Sequence, residues 1–296
     1  MARPASNNVR VALEYCVKQV KTYDYENYIW VSQLSKEQRP SILALRALNI
    51  ETALVAEQVK SKEPALVQVR YQWWRDGISA AFKGSAPKHP VLLALQAVLP
   101  GIACLPPVTL RLLEAREADA LDTQPPLAVD GLEQYAEGTA SQLLYLQLAA
   151  VGVQSREADH AASHLGKAVG IATLLRGLPY HAARRRSYVP MDLAVKYGVS
   201  QEDVYAGSSS EGMRDVALSI ASVAKQHLDE ARAFAPKLPR TACAVMLSSV
   251  GCARYLSALE AVNFDVFHSG LQPRNTQAAP LLHVLQTKYH MLLGTF

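Results

Sequence analysis

Hydrophobic residues recur at helical spacing along almost the whole chain. Two clear examples are SILALRALNIETALVAEQV, residues 41–59, and GMRDVALSIASVAKQHLDEARAF, residues 212–234. Apolar residues at positions i, i+3, i+4 and i+7 share one face of an α-helix, whereas a half-buried strand needs strict alternation. Alternating runs of β-branched residues are scarce in this chain. The pattern therefore predicts an all-α protein.

Clusters of turn-forming residues divide this helical pattern into segments. They lie at KGSAPKHP (83–90), LPGIACLPP (99–107), DTQPPLAVDG (122–131), YAGSSSEG (205–212) and PKLPR (236–240). The segments between them predict helices at residues 8–21, 36–60, 64–83, 88–99, 107–121, 130–152, 156–178, 200–205, 211–235, 240–262 and 276–293. No break is long enough for an interdomain linker, and no fixed-period repeat is present. We therefore expect one domain over residues 1–296.

The composition narrows the class of protein further. Half of the 296 residues are hydrophobic, which allows a substantial buried core. The formal net charge of +4 is too mild to indicate a nucleic-acid partner. The four cysteines are widely scattered, so neither a thiolate metal site nor a redox pair is predicted. No apolar run approaches the roughly 20 residues that a membrane-spanning helix needs.

The first ten residues, MARPASNNVR, contain two arginines and a serine but no acidic residue. This composition resembles the tail of a transit peptide, although the segment is too short to establish targeting. We expect residues 1–7 to be disordered or to be a remnant of such a peptide.

Two segments carry the candidate chemistry: ALRALNIETALVAE, residues 44–57, and GIATLLRGLPYHAARRRSYVP, residues 170–190. Together with YENYIWVSQLSKEQRPSILALRA, WWRDGISAAFKGSAPKHPVLLAL, LLEAREADAL and YAEGTASQLLYLQLAAVG, they resemble the squalene/phytoene synthase family, in the family's order and over most of the chain. The resemblance implies an isoprenoid-synthase-like helical bundle around a central cavity. In that family, two aspartate-rich motifs face each other across the cavity and hold magnesium against prenyl diphosphates.

Both aspartate-rich motifs are degraded in this chain. The family's acidic positions fall on Ala53 and Glu57 in the first motif, and on Gly177 and His181 in the second. Carboxylates four residues apart lie on one helix face and can share hard cations, but only one carboxylate remains. Ionising a prenyl diphosphate requires strong stabilisation of the leaving diphosphate. We therefore expect no catalytic residue, no bound metal and no cofactor.

Other parts of the family's framework persist. The positions that match the second motif are Arg176, Arg184, Arg186, Tyr188 and Pro190, and Trp74 with Arg75 matches the family's Trp-Arg pair. The lining of the cavity has changed, however, because Arg46 stands where the family usually has tyrosine and Ile50 where it usually has arginine.

The retained arginines suggest an anion site. Guanidinium groups bind phosphate oxygens without a metal, so a phosphate or an anionic lipid is a candidate ligand. The residues of this candidate site are Arg176, Arg184, Arg185, Arg186 and Tyr188. An equally weighted alternative is a solvated turn in which the arginines pair with nearby aspartate or glutamate.

The loss of carboxylates from both motifs, together with two further strings, is typical of a particular branch of the family. The strings DHAASHLGKAVGIATLLRGLPYHAARRRSYVPMD (159–192) and VNFDVFH (262–268) resemble a non-catalytic branch that supports assembly of mitochondrial respiratory complex I. The resemblance implies a location in the matrix, peripheral to the inner membrane. The implied partners are complex I subunits or assembly intermediates, with the membrane surface or an anionic or isoprenoid lipid as further candidates. Two alternatives stay open: an active magnesium-dependent prenyl-diphosphate transferase, and a protein that binds isoprenoid, quinone or lipid.

Two further features have a structural and a functional interpretation. His160 and His164 lie one turn apart and could present two imidazoles to zinc, but no third ligand is evident, so we favour a structural role. The last helix, within APLLHVLQTKYHMLLGTF (279–296), could dock on a membrane or a partner. Terminal helices usually pack on their own domain, which is the interpretation we favour.

Overall fold

The computed structural model describes residues 7–59, 63–99, 105–271 and 280–296. Within these ranges every element of regular structure is a helix, which confirms the all-α prediction. The expected disorder of residues 1–7 lies outside the described residues except for Asn7, which begins the first helix. None of the helices in the described ranges is long and apolar enough to cross a bilayer.

Nine α-helices lie in the described residues before position 151. They are α1 (Asn7–Tyr23), α2 (Tyr25–Val31), α3 (Arg39–Ala53), α4 (Val55–Gln58), α5 (Pro64–Phe82), α6 (Pro90–Val98), α7 (Leu105–Leu121), α8 (Val129–Ala136) and α9 (Gln142–Ala150). A π-helical turn, Glu137–Ser141, joins α8 to α9, so the predicted helix 130–152 is continuous but contains one wider turn.

The described residues after position 151 form seven more α-helices. They are α10 (Arg156–Ala182), α11 (Met191–Lys196), α12 (Gln201–Tyr205), α13 (Glu211–Ala233), α14 (Arg240–Val245), α15 (Ser248–Ala261) and α16 (Pro280–Leu293). Short 3₁₀ turns occur at Ala235–Lys237 and Ser269–Leu271. The predicted helix 240–262 is therefore wrong as one element, because the chain turns between α14 and α15. The segments α2 and α11 were not predicted as helices.

The predicted helix 36–60 is interrupted in the structure. Helix α3 begins at Arg39, with Pro40 in its first turn, where the missing N–H of proline costs nothing. It ends at Ala53, and the hydroxyl of Tyr71 donates a hydrogen bond of 3.2 Å to the carbonyl of Thr52, which a continuous helix would offer to the N–H of Ala56. The first degraded motif is thus divided between α3 and α4.

Helix α10 extends beyond its predicted end at residue 178. Pro179 lies inside the helix, and the chain continues for one more turn to Ala182. The backbone N–H of Arg186 then bonds the carbonyl of His181 at 3.0 Å, and that of Arg185 bonds Ala182 at 2.9 Å. This pair of bonds is a Schellman motif, whose left-handed position usually holds glycine. Arg185 occupies it with φ of 56°, so the arginine-rich turn carries backbone strain.

Helix α10 is the central element, since it packs against α8, the π-helical turn, α13 and α15. Its glycines allow this close packing. A Cβ atom at Gly166 would overlap the backbone of Ser141 in the π-helical turn, and one at Gly170 would lie 2.9 Å from the Cα atom of Ala136. The buried residues of the other helices surround α10 and form one continuous core with it.

Substitution of Gly166 by alanine is therefore expected to destabilise the protein. Overlap with backbone cannot be relieved by a side-chain rotation, so Gly166→Ala should lower the free energy of unfolding by about 1 to 3 kcal/mol. The matched control is Gly251→Ala in α15, whose added Cβ would lie 3.4 Å from the nearest atom, an oxygen of Glu26. The control should be neutral or slightly stabilising, because alanine favours a helix over glycine. Urea denaturation of the two variants measures both effects, and equal stabilities would contradict the close approach.

Candidate functional site

The two degraded motifs lie close together, as the expected fold requires. Ala53 is the last residue of α3, Glu57 lies in α4, and both are exposed. Gly177 and His181 lie in the last two turns of α10. The carboxylate of Glu57 lies near enough to Tyr180 and His181 to raise the pKa of the tyrosine and to oppose the fall in the pKa of the histidine. All four family metal positions are therefore on one side of the molecule, but they provide one carboxylate.

The imidazole of His181 lies directly against the backbone of Gly177. A Cβ atom at Gly177 would be 3.2 Å from both Cδ2 and Nε2 of His181, which is closer than ordinary van der Waals contact. The ring also makes edge-to-face contacts with Tyr180 and Tyr188, at centroid distances of 5.3 and 4.9 Å. An aspartate at position 177 would therefore require His181 to move. The two substitutions in this motif fit each other sterically.

The charge of this region disfavours a magnesium ion. Burial, Arg186 and Arg184 together lower the pKa of His181 to about 4, and the carboxylate of Glu57 only partly opposes them. The imidazole is consequently neutral at neutral pH and, as a nitrogen ligand, a poor partner for magnesium. Among the four motif positions, Glu57 alone supplies a hard anionic oxygen. The residues present do not fit the magnesium cluster that the family's motifs hold.

Each guanidinium of the candidate anion site has a partner within the described residues. Arg176 bonds the carboxylate of Glu26 at 2.6 Å in the crevice between α2 and α10. Arg184 lies over the ring of Tyr180, with its Cζ atom 3.5 Å from the centroid, and donates to the carbonyl of the same residue. The strained Arg185 pairs with Glu202 at the surface.

The most enclosed of these pairs centres on Asp119 of α7. Arg186 contacts the Oδ1 atom of Asp119 at 2.7 Å, and the hydroxyl of Tyr188 donates to Oδ2 at 3.0 Å. An incoming anion would have to replace carboxylates at Arg176, Arg185 and Arg186. The anion-binding role of these residues and Tyr188 stays a prediction.

Comparison with known proteins identifies the family. A model of the squalene/phytoene synthase family matches residues 20–277. The chain belongs to the squalene/phytoene synthase family. It is also 40% identical over 262 residues to the rat (Rattus norvegicus) protein named NADH dehydrogenase (ubiquinone) complex I, assembly factor 6, a match that covers 88% of this chain and 78% of the rat protein. The human (Homo sapiens) protein of the same name is 37% identical over 270 residues, covering 91% of this chain and 80% of the human protein.

The fold is that of isoprenoid synthases. The crystal structure of a dehydrosqualene synthase in complex with a ligand superposes with a TM-score of 0.81, covering 96% of this chain and 97% of the synthase. The two sequences are only 16% identical. The chain therefore shares the fold of this synthase at low sequence identity.

A crevice next to the second motif is bounded by α2, α10, α15 and α16. Its free volume is about 410 Å³, including the part open to solvent. The Arg176–Glu26 pair lies along its wall, and the guanidinium stacks over the ring of Tyr255 at 5.8 Å. The hydroxyls of Ser248 and Tyr255 and the Nδ1 atom of His283 are buried in this wall with no hydrogen-bond partner among the described residues. These polar groups suit water or a small polar molecule better than an isoprenoid chain.

Arg46, which stands where the family usually has tyrosine, carries a buried positive charge. Its guanidinium bonds the carboxylate of Asp24 at 2.7 Å and lies over the ring of Trp30 at 5.1 Å. Asn27 joins the cluster by donating to Asp24 at 2.6 Å and accepting from the indole N–H of Trp30 at 2.8 Å. Removing one member of a buried pair is costly, so this cluster fixes α2 against α3. Asp24, Glu26 and Asp119 carry no sequence signal, because their arginine partners lie at least 22 residues away along the chain.

The buried imidazole of His181 makes stability depend on pH. Its folded pKa of about 4 is below the unfolded value of 6.5, so the unfolded chain binds a proton first as the pH falls. The contribution of the neutral His181 to the free energy of unfolding is complete above pH 6.5 and is lost progressively as the pH falls towards 4. His181→Gln should therefore show a smaller decrease in melting temperature over this interval than the unmodified protein. The exposed His268 provides the control His268→Gln, and equal pH slopes for all three proteins would contradict the assignment.

Proposed function

We propose that this protein is a non-catalytic member of the squalene/phytoene synthase family that acts in the assembly of mitochondrial respiratory complex I. The observation that carries the proposal is the paired replacement of the second motif, in which His181 packs against Gly177. The mammalian relatives named as complex I assembly factors support it, because they match this chain over most of its length. The proposed location is the mitochondrial matrix, peripheral to the inner membrane.

The absence of catalysis follows from the donor set at the motifs. A prenyl transferase must stabilise a diphosphate leaving group, and in this family divalent cations held by carboxylates do so. This chain presents Ala53, Glu57, Gly177 and His181 at those positions. Glu57 is the one carboxylate among these four residues. Without the cation cluster, the fold is available as a binding scaffold.

Helix α16 provides the surface for the proposed interaction. Two polar residues face inward: His283 approaches the carbonyl of Glu26 at 3.2 Å, and the buried hydroxyl of Thr287 accepts from Gln33 at 2.6 Å. Met291 also packs on the core, whereas most of the other apolar residues and Lys288 face outward. Leu281 and Leu285 are 70% and 55% exposed, and the other exposed members of this leucine face are Leu282, Tyr289, Leu292 and Leu293.

This orientation is the reverse of an ordinary surface helix, which buries its apolar stripe. Contiguous exposed apolar patches of this kind mark interaction surfaces. We infer that the leucine face of α16 docks on a subunit or assembly intermediate of complex I. The inner-membrane surface is the competing occupant, and the two can be separated by experiment.

A replacement assay in cultured cells that lack their own assembly factor tests this function. The chain, targeted to mitochondria, should restore the amount of assembled complex I, measured on native gels. Glu57→Gln removes the last motif carboxylate from an exposed position, and it should restore complex I as fully as the unmodified chain. Loss of rescue in this variant would favour the enzymatic alternative.

The leucine face is tested by Leu285→Glu in the same cells. Because Leu285 is exposed, the variant should fold normally but reduce assembled complex I several-fold at limiting expression. The matched control is Leu218→Glu on α13, which alters another exposed helical leucine and should rescue fully. Crosslinking of the unmodified chain should recover complex I subunits in a Leu285-dependent manner. Binding to vesicles of anionic phospholipid without such crosslinks would instead assign the face to the membrane.

A further inference from the structure

A cluster of metal-ligating side chains lies between α10 and α13, away from the degraded motifs. It contains His164 of α10 with His227 and Glu230 of α13. The Nδ1 atom of His164 is 2.8 Å from Oε2 of Glu230 and 3.0 Å from Nδ1 of His227, and the third side of this triangle measures 3.7 Å. We propose that these three side chains form a binding site for zinc or a chemically similar divalent transition metal.

The spacing of the donor atoms suits a tetrahedral ion. Zinc lies about 2.0 to 2.1 Å from nitrogen and oxygen ligands, which places neighbouring donors of a tetrahedron about 3.4 Å apart. The three observed separations bracket this value. A point roughly 2 Å from all three atoms exists about 0.8 Å above their plane, so an ion fits without movement of a helix. The fourth ligand would be water, because His164 and Glu230 are both partly open to solvent.

A second carboxylate supports His227 from the other side of its ring. The Nε2 atom of this buried histidine lies 3.4 Å from Oε1 of Glu133 on α8. A carboxylate beside the outer ring nitrogen favours the proton on Nε2 and leaves the lone pair on Nδ1, where the cluster needs it. Metal-binding histidines usually have such a partner. The Nζ atom of Lys167 lies 3.9 Å from the same carboxylate. This contact makes Glu133 less available as a metal ligand itself.

The type of donor decides which metal is expected. Two imidazoles and one carboxylate form a ligand set that zinc sites use, whereas magnesium prefers oxygen ligands throughout. The His160–His164 pair considered from the sequence is not the site, because His160 instead stacks on Phe234 at 6.1 Å. The other two ligands, His227 and Glu230, belong to α13, which begins 47 residues after His164 along the chain. Short-range spacing in the sequence therefore does not reveal them. A bound ion would fasten α10 to α13.

Titration calorimetry on the full-length protein, first freed of metal by a chelator, tests the site. We expect one equivalent of zinc to bind with a dissociation constant in the micromolar range or tighter, and magnesium to give no signal. His164→Ala and Glu230→Gln should each weaken zinc binding at least tenfold. His160→Ala removes an exposed imidazole one turn away and should bind zinc like the unmodified protein.

Thermal denaturation gives a second readout. Zinc should raise the melting temperature of the unmodified protein and of His160→Ala, because an ion that binds only the folded state stabilises it. Glu230→Gln should lose most of this increase. X-ray absorption at the zinc edge should show nitrogen and oxygen neighbours that include two imidazoles. Failure of the unmodified protein to bind zinc, or equal binding by all variants, would overturn the proposal.

Discussion

The contact between the His181 imidazole and the backbone of Gly177 is the constraint on which the rest of the site depends. A Cβ atom at position 177 would lie 3.2 Å from the nearest ring atoms, so a residue with a side chain there would make the ring shift. Once seated, the ring packs against Tyr180 and Tyr188 and is shielded from water. Shielding and the nearby arginines keep it neutral. The end of α10, which the family resemblance assigns to the second motif, thereby carries a neutral imidazole at position 181.

Helix α10, which carries Gly177 and His181, connects the second motif to the other features of the molecule. Gly166 and Gly170 bring α10 against α8 and the π-helical turn, and His164 points from it towards α13. At its end, the Schellman motif turns Arg186 back to Asp119 of α7. The degraded motif, the proposed zinc site and the paired arginines are therefore held by one rigid element. The leucine face lies on the outer side of α16, whose inner side carries His283 next to the crevice that contains the Arg176–Glu26 pair.

The sequence predicted the helical fold, because helical periodicity depends on residues close together in the chain. It did not predict the break after Ala53, where the carbonyl of Thr52 accepts a hydrogen bond from the distant Tyr71 on α5. Nor did it identify the partners of the arginines: Glu26 and Arg176 are 150 residues apart. The orientation of α16 was also hidden, because an amphipathic pattern does not say which face packs inward. Its outward leucines are set by the buried contacts of His283 and Thr287.

The most direct test of the central claim is release of pyrophosphate from prenyl diphosphates. Purified protein would be incubated with farnesyl or geranylgeranyl diphosphate and magnesium, and pyrophosphate would be measured with a coupled assay. The packing of His181 on Gly177 predicts a rate equal to that of the protein-free control. Magnesium-dependent release that disappears in Glu57→Gln would show that one carboxylate suffices for catalysis and would contradict the account.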